Sequence, residues 1–166
     1  DMTGGVTGSG ETESCENSGS VRGESYVGGV SGTAGSVSDC TNTGSVSGGK
    51  QYIGGVAGSA SAVRNCRNRG DVSVRGAFVS THDRYEASYA GGVAGSATSA
   101  ANCENTGDVK SGADGELFVS SAAGVAGKCS GETSDCRNSG TISLNGSYIA
   151  GVVGGNGGGS VKRCVN

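Results

Sequence analysis

Seven cysteines are the most reactive side chains in this sequence, and six of them recur at one place in a repeated phrase. Cys15, Cys40, Cys66, Cys103, Cys136 and Cys164 each open the pattern C-x-N-x-G-x-[VI], which is complete in five copies. Thiolates hold zinc when they come in close C-x-x-C pairs, and that pairing is absent. A disulfide framework is the other common use of such a set in a small secreted chain. Equivalent cysteines on neighbouring layers of a repeat would lie near bridging distance, but their side chains would point the same way, and disulfide geometry is specific. The six are therefore expected to form a file of buried, reduced thiols acting as small apolar spacers. Cys129 stands outside the file; with six residues between it and Cys136 in CSGETSDC, these two are the candidate pair for a loop-closing disulfide.

Other chemistry finds little support. A single histidine, His82, cannot supply an H-E-x-x-H zinc site, and neither a G-x-S-x-G elbow nor a phosphate-binding G-x-x-x-x-G-K-[ST] is present. GGNGGG near the end lacks the strand and helix that would make it a nucleotide loop. Acidic residues are plentiful enough for a glycosidase pair, but they fall at unrelated, outward positions. The sequence thus predicts no catalytic residues, no metal and no cofactor. Twelve basic and fifteen acidic residues give a net charge of -3, well mixed, which does not attract nucleic acid. No apolar run approaches the ~20 residues of a membrane span, so membrane insertion is not expected. The opening DMTGGVTG has no export-signal pattern and reads as the start of a mature segment.

The elements that would position these residues follow from self-similarity. A G-V-x-G core centred on Val6, Val30, Val56, Val93, Val125 and Val152 precedes each cysteine by 9, 10, 10, 10, 11 and 12 residues. The return from cysteine to the next valine is 15, 16, 27, 22 and 16 residues, so length varies mainly at one corner. Repeats of this kind build solenoids. With 35 glycines, two phenylalanines, no tryptophan and no proline, the interior must be thin and lined by small side chains. The expected fold is all-β, a parallel β-solenoid of about five to six coils, forming a single repeat domain over 1–166. Larger loop insertions are expected at about 73–88 and 110–121.

Alternate residues of a strand face opposite sides, and positions 0, 2, 4 and 6 of the phrase read Cys, Asn, Gly and Val or Ile. Those positions are expected inside, and the polar positions between them outside. Stacking in register turns each position into a column. Asn17, Asn42, Asn68, Asn105 and Asn138 would form a structural amide ladder, with the glycine two residues later free to take a positive φ at a bend. Glu16, Thr41, Arg67, Glu104 and Arg137 would form an outward column whose later members alternate in charge. Tyr26, Tyr52, Tyr89 and Tyr148 sit four residues before a repeat valine, with Ser121 in the remaining copy. A stacked packing column is expected from them, a sugar-binding aromatic stripe being the alternative.

The least repetitive surface lies in the two insertions, VSVRGAFVSTHDRYEASY and VKSGADGELFVSS, which leave the coil at the same corner. Arg75, His82, Asp83, Arg84, Tyr85 and Glu86 in the first, with Lys110, Asp114 and Glu116 in the second, are the candidate ligand-binding residues. Their mixed polar and aromatic character suits a protein or glycan.

The wording YVGGVSG, YIGGVAG and YAGGVAG, followed by DCTNTGSVSG, NCRNRGDVS and NCENTGDVK, resembles the GLUG repeat of bacterial surface proteins. Such repeats also occur in non-catalytic parts of some immunoglobulin A metallopeptidases. The resemblance implies an extracellular or cell-surface, modular and non-catalytic role. The expected function is a structural and adhesive module, a stiff spacer presenting loops to a protein or glycan of a host or neighbouring cell. The alternative is a filament subunit binding copies of itself end to end, because both ends of the stack read as uncapped. An ice-binding solenoid ranks last, since Arg69 interrupts the column Ser18, Thr43, Arg69, Thr106 and Ser139.

Overall fold

A computed structural model describes residues 1–75, 88–111 and 118–166. The described residues form a parallel β-solenoid of short strands without helix. One rung runs Ile53–Gly54, Ala57–Arg64, Arg67–Asn68 and Val72–Val74. The next runs Tyr89–Gly91, Ala94–Ala101, Glu104–Asn105 and Val109–Ser111. Stacking these rungs creates four parallel sheets, two containing six stacked rungs and two containing five.

Register follows the text of the repeat. Asn68 pairs with Asn42 on one side and Asn105 on the other, and Val72 with Val46 and Val109. Backbone bonds pass from Val30 N to Val56 O at 2.9 Å, from Val56 N to Val93 O at 2.8 Å and from Val93 N to Val125 O at 3.0 Å. Both insertions therefore leave the stack without displacing it. Strands reach into their expected ranges: Val72–Val74 and Phe118–Ala123 are ladder segments, and Val74 and Val119 are buried.

The changing distance from valine to cysteine has a local cause. Ala60, Ala97 and Cys129 share one column, and Ala100 pairs with Thr133. Three steps separate Ala97 from Ala100 but four separate Cys129 from Thr133, so the fifth rung carries one extra residue and its long strand divides there. Bulges of this kind leave the flanking register intact.

Two small apolar clusters replace a single core. Val30, Val37, Cys40, Val56, Val63, Cys66, Val93 and Cys103 belong to one. Val27, Val46, Ile53, Val72, Val109 and Val119 belong to the other. Asparagine side chains lie between them, against the second glycine of each G-G-V. A Cβ on Gly29 would strike the amide of Asn42, and one on Gly55 would strike that of Asn68. Burying a Val or Ile contributes roughly 1.5–3 kcal/mol, so the file of fully buried Val27, Val30, Val37, Val46, Ile53, Val56 and their equivalents supplies the main drive to fold.

The positive φ expected at the phrase glycine is found elsewhere. It belongs to the residue before each of the six stacked cysteines, Ser14, Asp39, Asn65, Asn102, Asp135 and Arg163, with φ between 49° and 55°, and to Tyr26 and Tyr52 at 49° and 47°. At five of the six corners before a cysteine the residue is Ser, Asp or Asn, whose short polar side chains tolerate the left-handed conformation. The phrase glycines serve close approach instead, since a Cβ on Gly44, Gly70, Gly107 or Gly140 would collide with the carbonyl of the equivalent glycine one rung below.

Candidate functional site

Stacked asparagines form the most extensive polar network. The Nδ2 of Asn17 donates to Asn42 Oδ1, Asn42 to Asn68, Asn68 to Asn105 and Asn105 to Asn138, each at 2.8 Å. Asn138 continues the series to Asn166 at 2.7 Å. Each of these five donors also reaches a carbonyl two residues on, as from Asn68 to Gly70 O at 2.6 Å. All amide dipoles point one way along the axis, an arrangement in which neighbouring bonds polarise each other. Asn42, Asn68 and Asn105 are fully buried, so these residues build the axis and present nothing to a ligand. Asn166, two residues after Cys164, is the ladder member that the incomplete last phrase conceals.

All seven cysteines are free thiols, so the candidate Cys129–Cys136 bridge is not formed. The reason is geometric. Cys129 is fixed in the column of Ala97 and Asn156, while Thr133–Ser134 between the two cysteines is itself paired in the sheet. Cys136 turns its thiol to Ser134 O at 3.2 Å. The other file members do the same to the carbonyl two residues back, at 3.0 Å for Cys40 and 3.1 Å for Cys66. Cys103 is held well above the usual thiol range, first by its hydrogen bonds with Cys136 and Cys66 and then by burial. Its contact draws Cys136 down to about 7. Among the described residues, no cluster of three His, Cys, Asp or Glu side chains is placed to hold a metal ion.

Of the residues expected to bind a ligand, Arg75 and Lys110 are described. His82, Asp83, Arg84, Tyr85, Glu86, Asp114 and Glu116 lie outside the described residues. Arg75 continues the stack by donating its backbone N–H to Gly48 O at 2.8 Å. Lys110 pairs with Asp71 on the preceding rung, which holds the Asp71 carboxyl below its ordinary value, first through the hydrogen bond. Similar ties join Arg67 to Glu104 at 3.6 Å and Arg163 to Asp135 at 2.6 Å. These charges bridge successive rungs.

The tyrosine column is partly a packing column. Tyr26 and Tyr52 have ring centroids 4.9 Å apart, and Tyr52 and Tyr89 are stacked at 5.4 Å. Burial and then the charges of its two neighbours raise the Tyr52 hydroxyl above its ordinary value. Above Tyr89 the column is interrupted. Ser121 pairs with Tyr89 on one side and Tyr148 on the other, and its buried Oγ donates to Gly127 O at 2.6 Å. Tyr148 is consequently 65% exposed. Beside the gap, the Lys128 ammonium stands 5.2 Å from the Tyr89 ring centroid. A cavity of about 340 Å³ opens here, walled by Tyr89 and Tyr148. The text signalled the missing tyrosine, but the lysine seven residues later becomes its neighbour only through the coil. No family model, curated protein or solved structure matches this chain.

Proposed function

We propose that this chain is a non-catalytic structural and adhesive module of a cell surface, a stiff spacer that presents binding groups along its length. The observation carrying this reading is the uninterrupted asparagine ladder. Asn68 and Asn105 are 37 residues apart, yet their bond is 2.8 Å, the same as between Asn42 and Asn68 at 26 residues. A framework that keeps its register across insertions can vary what it displays without losing its axis.

The use of the reactive residue types supports the reading. Thiols fill a core column, amides form the ladder, and Asp71, Glu104, Glu132 and Asp135 tie rungs together. The resemblance of the repeats to those of bacterial surface proteins supports an extracellular setting and a protein or glycan partner. Replacing residues 76–87 and 112–117 with the short connections of the other rungs tests the display role. Thermal unfolding within a few degrees of the parent, with loss of binding to host-cell surface preparations, is expected. Binding undiminished by both replacements would contradict presentation by the insertions.

A further inference from the structure

Two columns of the repeat change together on one patch of the fifth and sixth rungs. The tyrosine column has Ser121 between Tyr89 and Tyr148. The neighbouring column reads Thr33, Ser59 and Ser96, then Lys128, then Gly155. One ring is removed, one cation is added and the side chain above that cation is deleted. The result is the cavity of about 340 Å³, floored by Ser121, Gly154 and Gly155.

We propose that this gap is a binding slot for a sugar acid, a pyranose ring bearing a carboxylate, held between Tyr89 and Tyr148 with its carboxylate on Lys128. Two rungs of a parallel stack span about 9.6 Å. A flat aromatic ring touching both walls at about 3.5–4.0 Å needs only about 7–8 Å. A puckered pyranose, thickened on both faces by axial C–H bonds, fills the remaining width, and tyrosine faces suit such C–H groups. The Lys128 ammonium sits against the Tyr89 ring and has no ion pair among the described residues. In the empty slot it occupies part of the space of the missing ring through a cation–π contact. A bound carboxylate gives it the counter-ion that the described residues do not. This site goes beyond the module proposed above and uses neither insertion.

The test is calorimetric and NMR titration of the full chain with digalacturonic acid, a glucuronate disaccharide and sialyllactose. The dimethyl ester of digalacturonic acid serves as the neutral probe of equal shape. Saturable binding of at least one acid is expected, and for digalacturonic acid about tenfold weaker binding of its ester. Lys128→Gln and Tyr148→Ala should each weaken acid binding about tenfold, and Ser121→Tyr, which restores the ring, should abolish it. Tyr148 is already exposed, so its truncation leaves a folded protein even where Ser121→Tyr does not fold. Absence of saturable binding to every acid up to about 10 mM would overturn the proposal. So would equal binding of acid and ester, or undiminished binding by folded Ser121→Tyr. A Lys128→Gln variant that loses stability without changing any titration would assign the lysine to packing and equally overturn it.

Discussion

Asn68→Ala is the most informative single substitution, because Asn68 lies near the middle of the ladder and is fully buried. It removes the bond accepted from Asn42 at 2.8 Å and those donated to Asn105 at 2.8 Å and to Gly70 O at 2.6 Å. At about 1 kcal/mol each these losses total about 3 kcal/mol, and leaving Asn105 Oδ1 without its donor adds about 1–3 kcal/mol. The expected loss is therefore about 4–6 kcal/mol, before any contribution from the void left opposite Gly55. Against the 5–15 kcal/mol typical of a folded domain, that is a large fraction. Asn17→Ala, which removes two donated bonds at the first rung and leaves Asn42 Oδ1 without its donor, should cost about 1 kcal/mol less. Urea unfolding followed by far-UV circular dichroism reads both. A loss below about 1 kcal/mol for Asn68→Ala, or equal losses at the two sites, would refute the ladder as a source of stability.

Glycine substitutions separate close approach from backbone freedom. Gly70→Ala should cost more than about 3 kcal/mol through collision with the Gly44 carbonyl, whereas Gly19→Ala, whose Cβ would meet only Asn17 Oδ1 at 3.7 Å, should change urea stability by less than about 1 kcal/mol. Thiol labelling of the native protein should reach the half-buried Cys15 and Cys164 first, with the five buried thiols reacting only on unfolding; rapid labelling of Cys66 would contradict a closed stack. Asp71 has a lowered carboxyl pKa, so its stabilisation is complete above the unfolded value near 3.9 and disappears as pH falls through the lower folded value. Because the Asp71–Lys110 pair is more than one-third exposed, Asp71→Asn should flatten this acid limb by less than about 1 kcal/mol, and by less in high salt.

Much of the architecture was legible because each rung repeats the previous one in text. Parity alone placed the cysteines, asparagines and valines inside, and the opposed charges of Arg67 and Glu104 became neighbours as expected. What escaped depends on contacts across the coil. A glycine is visible in sequence, but whether it serves φ or close approach depends on the rung beneath it. That is why Gly70 was assigned the wrong reason, while the left-handed corners at Asp39, Asn65 and Asn102 went unnoticed. The second glycine of G-G-V faces an asparagine from the opposite wall, a pairing visible only in cross-section. The gap at Ser121 was readable as a missing letter. Its meaning required Lys128 and Gly155 to be brought beside it.

The central claim is that equivalent residues lie directly above one another along a single axis. Nuclear Overhauser contacts among asparagine side-chain amide protons, with their hydrogen-exchange rates, test it most directly. The account predicts an unbroken series from Asn17 through Asn42, Asn68, Asn105 and Asn138 to Asn166, with the central amides strongly protected. Contacts that skip or shift a rung, or amides that exchange as freely as in an unfolded chain, would contradict it.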